Sequence, residues 1–74
     1  MTMLKNNKNR VNYFRVNIYP TLFGEFLIQS EYGLQYKGRP TNIVKEYASN
    51  YREALMLTLE SVLRSTETGY LKAS

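Results

Sequence analysis

The basic and tyrosine side chains are the residues of this chain that most clearly suggest chemistry. The 74 residues include ten Lys and Arg against six acidic residues, for a net charge of +4, and seven Tyr. No acidic residue interrupts the first four basic ones, which are Lys5, Lys8, Arg10 and Arg15. From Val16 onward six basic residues are balanced by six acidic ones. Cations beside aromatic rings are typical of polyanion binding, because cations neutralise phosphates and rings stack on bases.

The sequence contains few of the residue types that usually serve in catalysis and metal binding. The chain has no Cys or His, and every acidic residue is Glu. General bases near neutral pH are usually His or a buried carboxylate, and zinc, haem and iron–sulfur sites draw on Cys and His. We therefore expect a protein that is not an enzyme and that holds no cofactor or metal.

Membrane and export signals are missing from the sequence. Its apolar runs are no longer than five residues, far short of the ~20 that span a bilayer. The N-terminal MTMLKNNKNR has no apolar core of a secretory signal. We expect a cytoplasmic protein with no membrane partner.

Three segments have the pattern of β-strands that could position these side chains. Arg10–Tyr19 alternates, with Phe14, Val16 and Ile18 on one face that should meet the core. Its other face mixes Tyr, Arg and Asn, and Pro20 ends it. A short hairpin turn over Thr21–Gly24 leads to a second, antiparallel strand, Glu25–Gly33, on which Phe26, Ile28, Ser30 and Tyr32 share a face. A third, weaker strand covers Thr41–Ala48.

The segment between the second and third strands should form an exposed turn. Gly33, Gly38 and Pro40 fall within eight residues, which indicates a turn or bulge. Lys37 and Arg39 lie in it, and Tyr32 and Tyr36 stand beside it. For these two tyrosines, packing and stacking on a ligand are both open, whereas we expect Tyr47 and Tyr51 in the core.

Met1–Asn9 is polar, rich in Asn and Lys, and lacks periodicity. We expect a disordered or loosely docked basic arm, which either contacts a polyanion or only aids solubility.

A helix is predicted from Tyr51 to the region of Gly69. Ser49 and Asn50 are both good N-cap residues, and Asn50 with Glu53 resembles a capping box. A stripe at helical spacing should face the sheet, formed by Tyr51, Leu55, Leu59 and Val62. Leu57 should then point outward among Glu53, Glu60, Arg64 and Glu67, either as an ordinary exposed leucine or as part of a small contact surface. Gly69 suits the helix end, and Tyr70 and Leu71 should fold back towards the sheet.

The sum is an α+β fold with a small three- or four-stranded antiparallel sheet and one C-terminal helix packed on one face. Residues 1–9 form the arm and residues 10–74 form a single domain.

The order of short motifs resembles the WGR domain, a small module of poly(ADP-ribose) polymerases and of many short bacterial proteins. The motifs are the YFRV strand, LFGEFLI, EYG with a later GR, the helix start SNYREAL and the closing TGY. Together they cover about Arg10 to Leu71. The signature Trp and Arg of the family are replaced here by Tyr32 and Leu34.

The resemblance implies a bacterial protein that binds DNA, with RNA as the alternative, and a preference for DNA ends or nicks. We expect weak, salt-dependent and sequence-independent contacts to phosphates and sugars from six residues: Arg10, Arg15, Tyr32, Lys37, Arg39 and Lys45. Tyr13, Tyr19 and Tyr36 are further candidates for stacking.

The alternative function is a protein-interaction or regulatory module that has lost nucleic-acid binding, with a protein partner in trans. It would use an unpaired sheet edge, which could pair with a second copy, or the apolar side chains of Leu34 and Leu57. One continuous basic patch joining Arg15 to Lys37, Arg39 and Lys45 would favour nucleic acid. Basic residues scattered among Glu25, Glu31 and Glu46 would favour a protein partner.

Overall fold

The sheet of this protein has more strands than its sequence predicts. The computed structural model describes residues 1–8 and 10–72, so Asn9 of the predicted arm and residues 73–74 of the predicted domain lie outside the described residues. The elements in chain order are β1 (Thr2–Asn7), β2 (Arg10–Pro20), β3 (Phe26–Leu34), β4 (Pro40–Ala48), α1 (Tyr51–Glu67) and β5 (Leu71–Lys72). The five strands form one sheet in the order β4-β3-β2-β1-β5, and all neighbours are antiparallel. The α+β class is confirmed, and the described strands number five rather than three or four.

The additional strands come from the two ends of the chain. Where the sequence predicts a disordered arm, β1 pairs with β2 from Thr2 opposite Arg15 to Asn7 opposite Arg10. The Met1 ammonium donates to the Val16 carbonyl at 3.0 Å, and Met3 is buried in the core. β5 then pairs with β1. The polar composition of the arm gave no strand pattern, so its pairing with β2 and the burial of Met3 could not be read from the sequence.

One face of the sheet forms the core with α1. Its buried side chains include Phe14, Val16 and Ile28, with Ile18, Phe26 and Tyr32 packed against them. The predicted inward face of β2 is therefore confirmed, and the face of β3 that carries Phe26, Ile28 and Tyr32 joins it in the core. The other face, which we call the open face, carries the alternate residues of each strand.

The helix meets this core through a different side from the one that its sequence predicts. Its buried residues are Ala54, Ser61 and Ser65, and Leu57, expected outside, packs against the core. Of the predicted stripe only Val62 packs there, while Leu55 and Leu59 are 41% and 61% exposed. Small side chains allow the helix axis to approach the sheet closely, and this closer packing prevails over the stripe with the largest apolar side chains.

The expectation that Tyr47 and Tyr51 lie in the core is also wrong. Both are more than half exposed. Tyr51 keeps an edge contact with Phe26, with 5.5 Å between ring centroids. Tyr51 is the first residue of α1 and lies on its flank. Tyr47 lies on the open face of the edge strand β4.

The ends of α1 follow the sequence signals. The Asn50 side-chain oxygen accepts from the Glu53 amide at 2.8 Å, and the Ser49 hydroxyl donates to the Glu53 carboxylate at 2.9 Å. Asn50 is therefore the N-cap, as its type predicts. After the helix, Gly69 has φ 104 and the chain returns to the sheet, where the Tyr70 ring meets Phe14 at 6.2 Å.

Candidate functional site

Two connections at one end of the sheet gather basic side chains. Because β1 to β4 are antiparallel neighbours, the β1–β2 turn and the β3–β4 connection lie at the same end. These two connections expose Lys8, Lys37 and Arg39, and together with Arg10, the exposed first residue of β2, we call them the cationic end. The sequence has no acidic residue from 1 to 24 or from 32 to 45, so neither segment carries a counter-charge.

The β3–β4 connection holds its two cations out in solvent. It follows a register shift at Tyr32 and Gly33 and contains one turn of 3-10 helix, Gln35–Lys37. Gly38 then takes φ 68, a left-handed conformation that glycine adopts without steric cost. This turn is exposed from Gln35 to Arg39. Lys37 and Arg39 are therefore free to approach a phosphate.

The other two predicted cations lie on the open face, apart from the cationic end. Arg15 stands opposite Glu31, with 3.5 Å between guanidinium nitrogen and carboxylate oxygen. Lys45 stands opposite Gln29, one strand further. Gln29 donates a hydrogen bond to the Glu31 carboxylate at 3.0 Å. Glu31 and Gln29 on β3 therefore lie between Arg15 on β2 and Lys45 on β4. The single continuous patch that would favour nucleic acid is therefore interrupted by Glu31, and the four residues of the cationic end share one end of the sheet instead.

Tyr32, the predicted stacking residue, lies on the opposite side of the sheet from Arg15. It packs against the core beside α1, with its ring 5.0 Å from that of Phe14. Burial raises the pKa of the nearby Tyr70 hydroxyl, and the Tyr32 hydroxyl adds to this rise. The Tyr70 phenol therefore stays neutral at physiological pH, and both rings pack against the core.

A shallow cleft of about 190 Å³ opens on the open face beside the cationic end. Tyr13 lies across Gly33, where an added Cβ would meet its ring at 2.8 Å. The Arg15 guanidinium stands 5.3 Å from the centre of the same ring. Gln35, Gly38 and Pro40 of the β3–β4 connection complete one wall.

Sequence reasoning missed two parts of this arrangement. Lys8 belongs to the cationic end, although the sequence predicts a disordered arm there, because Lys5–Asn9 is polar throughout and shows no alternation. The cleft depends on Tyr13 pairing with Gly33, and only the register of the sheet reveals that pairing.

The described residues also expose two apolar features. Leu22 and Phe23, at the tip of the β2–β3 hairpin, are 98% and 88% exposed. The helix stripe, as we call the outward leucines and methionine of α1, is formed by Leu55, Met56, Leu59 and Leu63. Within residues 1–8 and 10–72 no group of three or more acidic or metal-ligating side chains could hold a metal ion.

Comparisons with protein-family models, with curated proteins and with solved structures gave no match. The WGR resemblance therefore stays a prediction. In the part of the chain that the structure describes, no helix is long and apolar enough to cross a membrane.

Proposed function

We propose that this protein is a small nucleic-acid-binding module rather than an enzyme. It contacts the phosphates and sugars of DNA through its cationic end, without reading sequence at those contacts. The observation that carries the proposal is the position of Lys8, Arg10, Lys37 and Arg39 at one end of the sheet, in two stretches of sequence that contain no acidic residue.

The chemistry of this group suits a polyanion. Four cations that each neutralise a phosphate would release counterions, so the affinity should fall with salt with a logarithmic slope of roughly 3 to 4. Arg10 and Arg39 can also donate two parallel hydrogen bonds to one phosphate, as planar guanidinium groups do. Such contacts supply affinity and orientation but no sequence information.

Membership of the WGR family is part of the same proposal, and with it a preference for DNA ends or nicks in a bacterial cytoplasm. What supports it is the order of motifs in the sequence. Neither signature position provides a contact to nucleic acid in this proposal, because Tyr32 packs beside Phe14 and Leu34 has no charge to pair with a phosphate. Lys37 and Arg39, a few residues later, take over the phosphate contact in this proposal.

A protein-interaction module is the second candidate, and one observation favours it. Three residues of the helix stripe, Met56, Leu59 and Leu63, are 57%, 61% and 62% exposed on one side of α1. Clustered exposed apolar side chains often mark a contact surface.

A fluorescence-anisotropy titration with a 5′-phosphorylated nicked duplex, at low and at near-physiological salt, tests the first candidate. We expect micromolar binding that weakens steeply with salt. Replacing Lys37 and Arg39 together with Ala should lower the salt slope by about two, since each phosphate contact contributes roughly one.

The matched control removes the same charge from the helix by replacing Arg52 and Arg64, both exposed, with Ala. Its slope should equal that of the unchanged protein. Absence of binding at low salt would reject the proposal and leave the protein-interaction candidate. An equal loss of slope in both double variants would mean that net charge, and not the cationic end, drives binding.

A further inference from the structure

The cleft on the open face has polar groups in place for a small planar ligand. Arg15 and Glu31 both line it, and at 3.5 Å their contact is longer than the 2.7–2.9 Å typical of a hydrogen-bonded ion pair. Arg15 therefore keeps guanidinium N–H donors for a ligand. The Glu31 carboxylate accepts from Gln29 on one oxygen, and each oxygen has a second lone pair free for another donor.

Besides the polar side chains of Thr2 and Gln35, the remaining walls of the cleft are apolar or aromatic. Leu4 and Pro40 line it, together with Tyr13, which is 8% exposed and is fixed by packing on Gly33. A volume of about 190 Å³ is below the roughly 300–1,000 Å³ of sites that enclose a drug-sized molecule. The cleft therefore suits one ring system, with the rest of the ligand outside.

The cleft and the cationic end share the β3–β4 connection. Gln35, Gly38 and Pro40 line the cleft, and they alternate along the chain with the exposed Lys37 and Arg39. A phosphate bound by Lys37 or Arg39 would therefore lie at the rim of the cleft. The base attached to the neighbouring sugar is then the group of a nucleic acid best placed to enter it.

We propose that this cleft binds one unpaired guanine of the nucleic acid whose phosphates the cationic end holds. The inference rests on the proposed function and adds a base preference to it. The Watson–Crick edge of guanine carries an acceptor, O6, beside two donors, N1–H and N2–H. Arg15 donates to O6, the oxygen that arginine commonly reads in guanine, and the Glu31 carboxylate accepts from the two donors. No other common base offers two adjacent donors next to an acceptor on that edge.

The ligand is an unpaired base because a paired one has its Watson–Crick edge occupied. Unpaired bases can be read on this edge when they leave the stack. Frayed bases at a nick, an overhang or a single strand all meet this requirement.

The test compares two labelled single-stranded 10-mers by anisotropy at one salt concentration, one of thymidine alone and one with a single central guanosine. We expect the guanosine strand to bind about five- to thirty-fold more tightly. In Glu31→Gln this preference should disappear while binding of the thymidine strand remains, because the variant keeps the shape of the side chain but loses one acceptor.

Glu25→Gln is the matched control, since it makes the same charge change on an exposed residue at the other end of the sheet. It should keep the preference. Equal affinity of the unchanged protein for the two strands would overturn the guanine site and leave the phosphate-binding proposal standing. A preference that survives in Glu31→Gln would overturn it as well. Absence of binding to both strands and to the nicked duplex at low salt would overturn the proposed function itself.

Discussion

The Tyr32 side chain contributes to the core of this protein. Its ring meets Phe14 on the side of the sheet that α1 covers. Aromatic pairs of this kind stabilise a fold by about 0.5–1.5 kcal/mol beyond the apolar area that they bury. The position at which the WGR resemblance places the signature Trp therefore has a structural role in this protein.

Two substitutions at Tyr32 separate packing from ligand stacking. Tyr32→Ala should lower the free energy of unfolding by about 3 kcal/mol, because it removes a ring from the core. Tyr32→Phe keeps the ring and should change stability by less than about 1 kcal/mol and DNA affinity not at all. Urea unfolding and anisotropy measure the two effects. A folded Tyr32→Ala protein of unchanged stability that had lost DNA binding would contradict this assignment.

At the level of single residues, alternation predicted which side chains of β2 enter the core, since Phe14, Val16 and Ile18 face α1. Charge alone identified Arg10, Lys37 and Arg39 as candidates. The cleft could not be predicted, because it depends on which residues lie opposite one another across strands, such as Tyr13 and Gly33. That register is a property of the assembled sheet.

The orientation of α1 decides which surfaces are left free. Periodicity predicted the helix and its N-cap, but it could not predict which flank meets the sheet. Two sides of this helix could be buried against the sheet: the stripe of large apolar side chains, or the side with Ala54, Ser61 and Ser65. The structure buries the second. The result is the exposed helix stripe.

Leu57 and Leu59 provide a direct test of this orientation. Leu57→Ala should lower the free energy of unfolding by about 2 kcal/mol, since Leu57 packs against the core. Leu59→Ala should change it by less than about 0.5 kcal/mol, since Leu59 is 61% exposed. Both variants exchange the same two residue types in the middle of one helix, so helix propensity cancels between them. A larger loss of unfolding free energy in Leu59→Ala than in Leu57→Ala, measured by chemical denaturation, would contradict this orientation and favour the buried stripe that the sequence predicts.

The whole molecule has two chemically different ends, and it extends 43 Å along its longest axis. The cationic end carries the β1–β2 and β3–β4 connections, and the opposite end of the sheet carries the hairpin tip with Leu22 and Phe23. In the proposed function a phosphate backbone is attracted to the first end, whereas the hairpin at the second end carries the exposed carboxylate of Glu25. Binding at the cationic end should therefore leave the hairpin tip and the helix stripe unchanged.

The most direct measurement of the central claim is a titration of ¹⁵N-labelled protein with a 5′-phosphorylated nicked duplex, followed by backbone amide chemical shifts. We expect saturable shifts that are largest at Lys8, Arg10, Lys37 and Arg39 and that shrink as salt is raised. Shifts concentrated along the helix stripe or at Leu22 and Phe23, with the cationic end unmoved, would contradict the account.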